Sequence, residues 1–168
     1  MSEDVAVSFT LNGEACALRV APATRLVDIL REERGLMATK RACDIGRCGA
    51  CMVLMNGRPV NGCLVMAWQL DGAEVISPEG LEALPESRAV RAGLVAESAF
   101  QCGYCAPGFT IALTALFRRA PQAGEDEIRA ALAGNICRCT GYLSIVRGAL
   151  AARKLLAEEG MPAARGAT

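Results

Sequence analysis

Nine cysteines in 168 residues carry most of the chemistry this chain can do, and eight of them fall into patterned groups. Cys43, Cys48 and Cys51 are spaced C-x4-C-x2-C, and Cys63 follows after an eleven-residue spacer. The first three match the plant-type [2Fe–2S] spacing, in which four thiolates hold two irons, two per iron. Gly46 and Gly49 lie inside this loop and let backbone N–H groups approach the sulfides of an anionic cluster. A four-cysteine structural zinc site is the competing reading, although zinc prefers paired C-x2-C knuckles. A disulfide framework belongs to an oxidising compartment. Cys102 and Cys105 form C-x2-C, and Cys137 and Cys139 form C-x-C. Brought together, the two pairs make a second four-thiolate site, and C-x-C is an unusual spacing for zinc. Alone, Cys102-Gly103-Tyr104-Cys105 spells a thioredoxin-like redox pair, but that motif sits at a βα junction of a βαβ unit, and none is read here. Cys16, between Ala15 and Ala17, reads as a small buried hydrophobe. Trp68 and the six methionines read as core or interface.

Composition narrows the alternatives. Histidine is absent, which removes Ser-His and Cys-His nucleophiles, His-bearing zinc sites, Rieske clusters and His-ligated haem. Lys plus Arg and Asp plus Glu are 18 each, so the chain is neither a generally basic nucleic-acid binder nor drawn to an anionic membrane. Hydrophobic residues make up 52% but aromatics only 4%, so the core must be aliphatic. The start, Met1-Ser2-Glu3-Asp4, shows no basic and apolar signal-peptide pattern, and no apolar run reaches membrane-spanning length. A cytoplasmic location with reduced cysteines is the expectation, and metal is the leading use for them.

The elements that must position these thiols change character along the chain. Val5, Val7, Phe9 and Leu11 alternate as in a half-buried strand, Asn12-Gly13 is a hairpin turn, and Ala15 to Val20 returns. After Pro22, Thr24 can N-cap a helix with Leu26, Val27, Ile29 and Leu30 on its apolar face and Gly35 at its end. Met52 to Met55, Asn56-Gly57 and Val60 onward form a second hairpin, and Glu74 to Ser77 a last strand. Two hairpins around one helix is a β-grasp pattern. Pro78-Glu79-Gly80 and Leu84-Pro85-Glu86 read as a linker. Beyond it the period becomes 3.6. Helices are predicted over Arg88 to Ser98, after Pro107 with Phe109, Ala112, Leu113, Leu116 and Phe117 on one face, and from Gly124 with Ile128, Ala131 and Leu132 inward. A fourth carries Leu143, Val146, Ala149 and Leu150. Each cysteine pair then lies at a turn between two helices. The predicted fold class is α+β: an N-terminal β-grasp domain over residues 1–80, an all-α four-helix-bundle domain over 86–160, and a flexible tail over 161–168.

Three segments carry a family resemblance. They are Cys43-Asp44-Ile45-Gly46-Arg47-Cys48-Gly49-Ala50-Cys51, Gln101-Cys102-Gly103-Tyr104-Cys105-Ala106-Pro107-Gly108 and Asn135-Ile136-Cys137-Arg138-Cys139-Thr140-Gly141-Tyr142. In motif order and spacing, over about residues 4 to 155, the chain resembles the iron–sulfur subunit of molybdenum hydroxylases of the xanthine dehydrogenase and aldehyde oxidase type. It departs from the usual pattern in having Ala42 for Gly, and Met52 and Ala106 for Thr, none of them a ligand. The resemblance implies a plant-type ferredoxin-like [2Fe–2S] domain, with Cys43, Cys48, Cys51 and Cys63 as ligands. It implies a second [2Fe–2S] cluster on Cys102, Cys105, Cys137 and Cys139 in the helical domain. It further implies a large subunit with a molybdopterin dinucleotide, contacted by Gln101 and Cys139, and FAD in a medium subunit. Electrons would pass singly from molybdenum through the helical-domain cluster, then the ferredoxin-like cluster, to FAD or another acceptor. A heterotrimer or its dimer is implied. A free-standing two-cluster carrier is the alternative, and a zinc-stabilised interaction module a third reading.

Overall fold

The computed structural model describes residues 4–160; the expected tail over 161–168 lies outside the described residues. Strand β1, Val5–Leu11, pairs antiparallel with β2, Glu14–Val20, with Phe9 opposite Cys16. Asn12 and Gly13 both adopt positive φ, +54° and +87°, as a two-residue hairpin turn requires. The second hairpin joins β3, Met52–Met55, to β4, Arg58–Asn61, through Asn56 and Gly57 in the same conformation. Strand β5, Glu74–Ile76, lies between the hairpins, parallel to β1 and antiparallel to β3, and completes the order β2-β1-β5-β3-β4.

Helix α1 crosses this sheet over Leu26–Asp28 and continues as a wider π turn over Ile29–Glu33. Its four apolar residues Leu26, Val27, Ile29 and Leu30 are fully buried, as the sequence pattern predicts. Thr24 is not its cap. Arg25 holds that position without a side-chain bond, and the Thr24 carbonyl instead accepts the Ala67 N–H at 2.8 Å. Gly35, at φ +68°, ends the turn, and the Leu36 N–H reaches back to the Leu30 carbonyl.

The stretch read as a linker is ordered. Pro78–Ala83 forms a 3-10 helix, and its Leu81 is buried in the helical core. It is pinned to the first hairpin: the Asn12 amide donates to Ser77 Oγ at 3.0 Å, and Asn12 Oδ1 accepts the Ser77 N–H at 2.8 Å. Ser77 Oγ donates to Glu79, whose other oxygen accepts the Ala38 N–H at 2.8 Å. Asn12 therefore serves two ends, a turn that needs positive φ and a tie to residue 77. Asn12→Ala is expected to cost about 2–3 kcal/mol, from two lost hydrogen bonds and left-handed strain. Asn12→Gly should cost less, because it keeps the turn. Urea unfolding of the two variants checks this order.

Four helices follow: α2, Pro85–Ala96; α3, Ala106–Arg119; α4, Glu125–Ala131; and α5, Leu143–Glu158. The α3 face has the predicted period, with Phe109, Ala112, Leu113, Leu116 and Phe117 all buried. Helix α2 starts three residues before the expected Arg88 because Pro85 occupies the first turn, where its missing N–H costs nothing. The face of α5 differs from expectation. Leu143 is exposed, and Ile145, Val146, Gly148, Ala149, Ala152 and Leu156 turn inward. Gly148 meets Gly93 of α2, where a Cβ on Gly93 would lie 2.3 Å from the Gly148 carbonyl oxygen, so the two backbones touch.

Strand β3 is a wall between two apolar cores. Val53 packs with β1, β5 and α1, while Met52 and Leu54 pack with α2, α3 and α5. Alternation with period 2 sends successive side chains to opposite faces, and here both faces are dry.

Candidate metal centres

The Cys43–Cys51 loop is tied to α1 through Arg41. Gly46 and Gly49 have φ +73° and +70°, and Asp44, a non-glycine, +56°. These left-handed positions turn successive N–H groups inward. The Arg47 N–H points at Cys43 Sγ at 3.3 Å, and the Cys63 N–H at Cys51 Sγ at 3.4 Å. Asn61 donates to the Gly46 carbonyl at 3.1 Å and holds the loop against β4. Arg41 pairs with Asp28 and Glu32 at 3.2 Å and with Asp44 at 3.7 Å, anchoring the loop's entry to α1. Cys63 returns beside Cys51 because the second hairpin folds back. Both are buried together with Val27.

The second group sits at one end of the helices. Cys102 and Cys139 are exposed, with their sulfurs 3.6 Å apart. Cys105 and Cys137 lie deeper, half-buried and buried respectively. Gln101 is exposed next to Cys102. Cys137 Sγ lies 3.2 Å from Thr140 Oγ1, and the Cys137 N–H donates to the Tyr142 hydroxyl at 3.0 Å.

The electrostatics of the two groups run in pairs. Burial pushes Cys51 up to about 12, helped by Cys63. Burial and the neighbouring Cys137 push Cys105 up to about 12. Burial also opposes ionisation of Cys43, but the N–H groups of Ile45, Arg47 and Cys48 outweigh it and bring that thiol down to about 6. The Tyr104 N–H and the Cys139 side chain lower Cys102. Each set thus holds a sulfur prepared for negative charge by backbone donors beside one that needs a counter-charge to ionise. A metal supplies that counter-charge.

Both donor sets are made of thiols, the ligand type an iron–sulfur cluster takes. Two thiolates on one tetrahedral metal, with bonds of about 2.3 Å, lie roughly 3.8 Å apart. The 3.6 Å between Cys102 and Cys139 matches that spacing. Two thiol pairs suit a two-iron cluster, so the residues present fit [2Fe–2S] groups. Cys16 is apart from both sets, buried under the sheet as expected. Trp68 is exposed, which excludes the core half of its core-or-interface reading.

The two groups interlock. The Ile136 N–H donates to the Cys48 carbonyl at 2.9 Å. The Tyr104 hydroxyl donates to the Arg41 carbonyl. A Cβ on Gly108 would lie 2.1 Å from the Gly49 carbonyl oxygen, and one on Gly49 2.5 Å from the buried Asn135 amide. Sequence reading does not single out Asn135, Thr140 or Tyr142 as working residues, although all three lie in a motif it quotes. The traceable signal is Thr140-Gly141-Tyr142 directly before a helix, a place where short side chains bond to backbone.

Comparison with known proteins now bears on these sites. Residues 9–81 match the family described as "2Fe-2S iron-sulfur cluster binding domain", and residues 77–150 the "[2Fe-2S] binding domain". Over 155 residues, 91% of this chain and 97% of the relative, the chain is 39% identical to the "Xanthine dehydrogenase iron-sulfur-binding subunit" of Escherichia coli O157:H7. It is 40% identical to the "Nicotinate dehydrogenase small FeS subunit" of Eubacterium barkeri, over 84% of this chain and 90% of that one. A chain of the solved quinoline 2-oxidoreductase from Pseudomonas putida 86 superposes with a TM-score of 0.85 at 33% identity, covering 95% of this chain and all of that one.

Proposed function

Since the chain belongs to the iron–sulfur subunits of the molybdenum hydroxylase family and is an electron-transfer subunit, we propose how its residues divide that work. Cys43, Cys48, Cys51 and Cys63 hold one [2Fe–2S] cluster in a β-grasp ferredoxin-like domain over residues 1–80. Cys102, Cys105, Cys137 and Cys139 hold the other in a four-helix domain over 86–160. The meeting of the two family matches at residues 77–81 supports that boundary. When bound, the clusters accept and release single electrons.

The chain's own contribution is to hold the two thiol sets against each other. The single observation that carries the reading is the bond from the Ile136 N–H to the Cys48 carbonyl, which connects a ligand of one set to the neighbour of a ligand of the other. Gly108 approaches Gly49 beside that bond, so the two loops meet backbone to backbone.

Outward-facing residues divide the two ends. Gln101, Cys102 and Cys139 are exposed on the helical side, with exposed Tyr104, Ile136 and Leu143 in the same loops or just beyond them. Apolar side chains beside an exposed ligand suit a covering partner more than a free-standing carrier. The partner is a large subunit whose molybdopterin dinucleotide contacts Gln101 and Cys139. The Cys43–Cys51 loop then faces the acceptor, FAD in a medium subunit or another group. The assembly is a heterotrimer or its dimer, and its location cytoplasmic. Among the described residues, no helix is long and apolar enough to cross a membrane.

Metal and sulfide analysis of anaerobically purified protein tests the ligand assignment. About four irons and four acid-labile sulfides per chain are expected. Stoichiometric zinc, or half that iron, overturns it. Isolation of the chain from its native source without a large subunit would favour the free-standing carrier.

A further inference from the structure

The turn between Cys137 and α5 contains a hydrogen-bond circuit that ligand counting leaves unused. Tyr142 has φ +71°, a left-handed conformation that a bulky residue adopts only when held there. Its ring packs against the buried Phe109 at a centroid distance of 6.2 Å. Its hydroxyl accepts the Cys137 N–H at 3.0 Å. Its own N–H donates to Thr140 Oγ1 at 3.3 Å. The same Oγ1 lies 3.2 Å from Cys137 Sγ.

The direction of that last contact follows from counting donors. A threonine hydroxyl has one proton and two lone pairs. The Tyr142 N–H occupies one lone pair, and the hydroxyl proton remains free to be donated. A metal-bound thiolate carries no proton, so Oγ–H donates and Sγ accepts. Both sets have backbone donors, those of Arg47 and Cys63 serving Cys43 and Cys51 in the first, but the Thr140 hydroxyl is a side-chain donor aimed at the second.

We propose that Thr140 is a positioning residue that raises the reduction potential of the helical-domain cluster by donating its hydroxyl to the Cys137 thiolate. The proposal rests on the ligand assignment above. Reduction adds one electron to a centre that is already anionic, and no bond forms or breaks. The hydroxyl proton stays on Oγ and stabilises the more negative, reduced form. The ferredoxin-like cluster gains nothing from it. Tyr142 contributes by placing the hydroxyl, through its strained backbone and its packing on Phe109. In consequence a single electron entering the chain is held more firmly on the helical side than the thiolates alone would hold it.

The test is a dithionite titration of the purified complex, with each cluster followed by its own EPR signal. Thr140→Val keeps the shape of the side chain and removes the donor. It should lower the reduction equilibrium constant of the helical-domain cluster about tenfold, or about 59 mV for one electron. Thr140→Ser should stay at the wild-type potential, and the ferredoxin-like cluster should not move in either variant. Thr140→Ala repeats the loss of the donor without the second methyl, should valine crowd the turn. Intact signals with unmoved potentials in both Val and Ala variants overturn the proposal alone. Equal shifts of both clusters overturn it too, because they report a change in the whole fold. Absence of the second signal from the unsubstituted protein overturns the ligand assignment, and the proposal with it.

Discussion

Cys51→Ser is expected to remove one of the two reduced-state EPR signals and about half of the iron, from roughly four atoms per chain to two. Cys51 is buried with Cys63 and Val27, and its sulfur accepts the Cys63 N–H at 3.4 Å. Serine brings a shorter, harder oxygen that stays protonated at neutral pH. At a buried position water cannot take the missing ligand's place. The second signal should survive with its line shape. Its four thiols come from two other loops, and the substitution leaves the Ile136 N–H bond to the Cys48 carbonyl intact. Cys16→Ser, by contrast, should leave both signals unchanged, since Cys16 lies in the sheet core. Loss of both signals in Cys51→Ser would mean that neither site assembles without the other.

Gly108→Ala is expected to lower stability by about 3 kcal/mol, although helix propensity alone favours alanine at that position by about 1 kcal/mol. Gly108 lies in the first turn of α3, and a Cβ there would lie 2.1 Å from the Gly49 carbonyl oxygen and 3.0 Å from its carbon. Both are backbone atoms of the cysteine loop, so no side chain can turn away. Either α3 or the loop must withdraw, and the Ile136–Cys48 bond sits beside that contact. For a chain of this length the cost corresponds to roughly 6–12 °C in melting temperature. Gly134→Ala is the control: nothing lies within 4 Å of its Cβ position, so it should stay within about 0.5 kcal/mol of the parent. A Gly108→Ala protein that melts with the parent would show that the two loops slide past each other freely.

Short-range information in the chain was enough for much of this molecule. Asn12-Gly13 and Asn56-Gly57 became hairpin turns because positive φ is a property of those residues and their neighbours. The α3 face appeared where its period placed it, because five large or small apolar residues at helical spacing leave one way to bury them. The local groups C-x4-C-x2-C, C-x2-C and C-x-C are legible in the spacing, since cysteines within one short loop stay within reach of each other, whereas the approach of Cys102 to Cys139 joins two separate loops. Tertiary structure alone decided the rest. Three residues of β5 cannot announce that they will pair parallel to β1 and antiparallel to β3, because that pairing is paid for by surfaces distant in sequence. Leu143 looked like core in its own helix but faces outward, because the Gly93–Gly148 crossing sets which side of α5 turns in. A Pro- and Gly-rich stretch reads as a linker until Leu81 finds a core formed by helices that follow it. The joining of the two cysteine loops through Cys48, Gly49, Gly108 and Ile136 has the same origin. Contacts between residues this far apart in sequence depend on how two cores meet at β3, and no local preference encodes that.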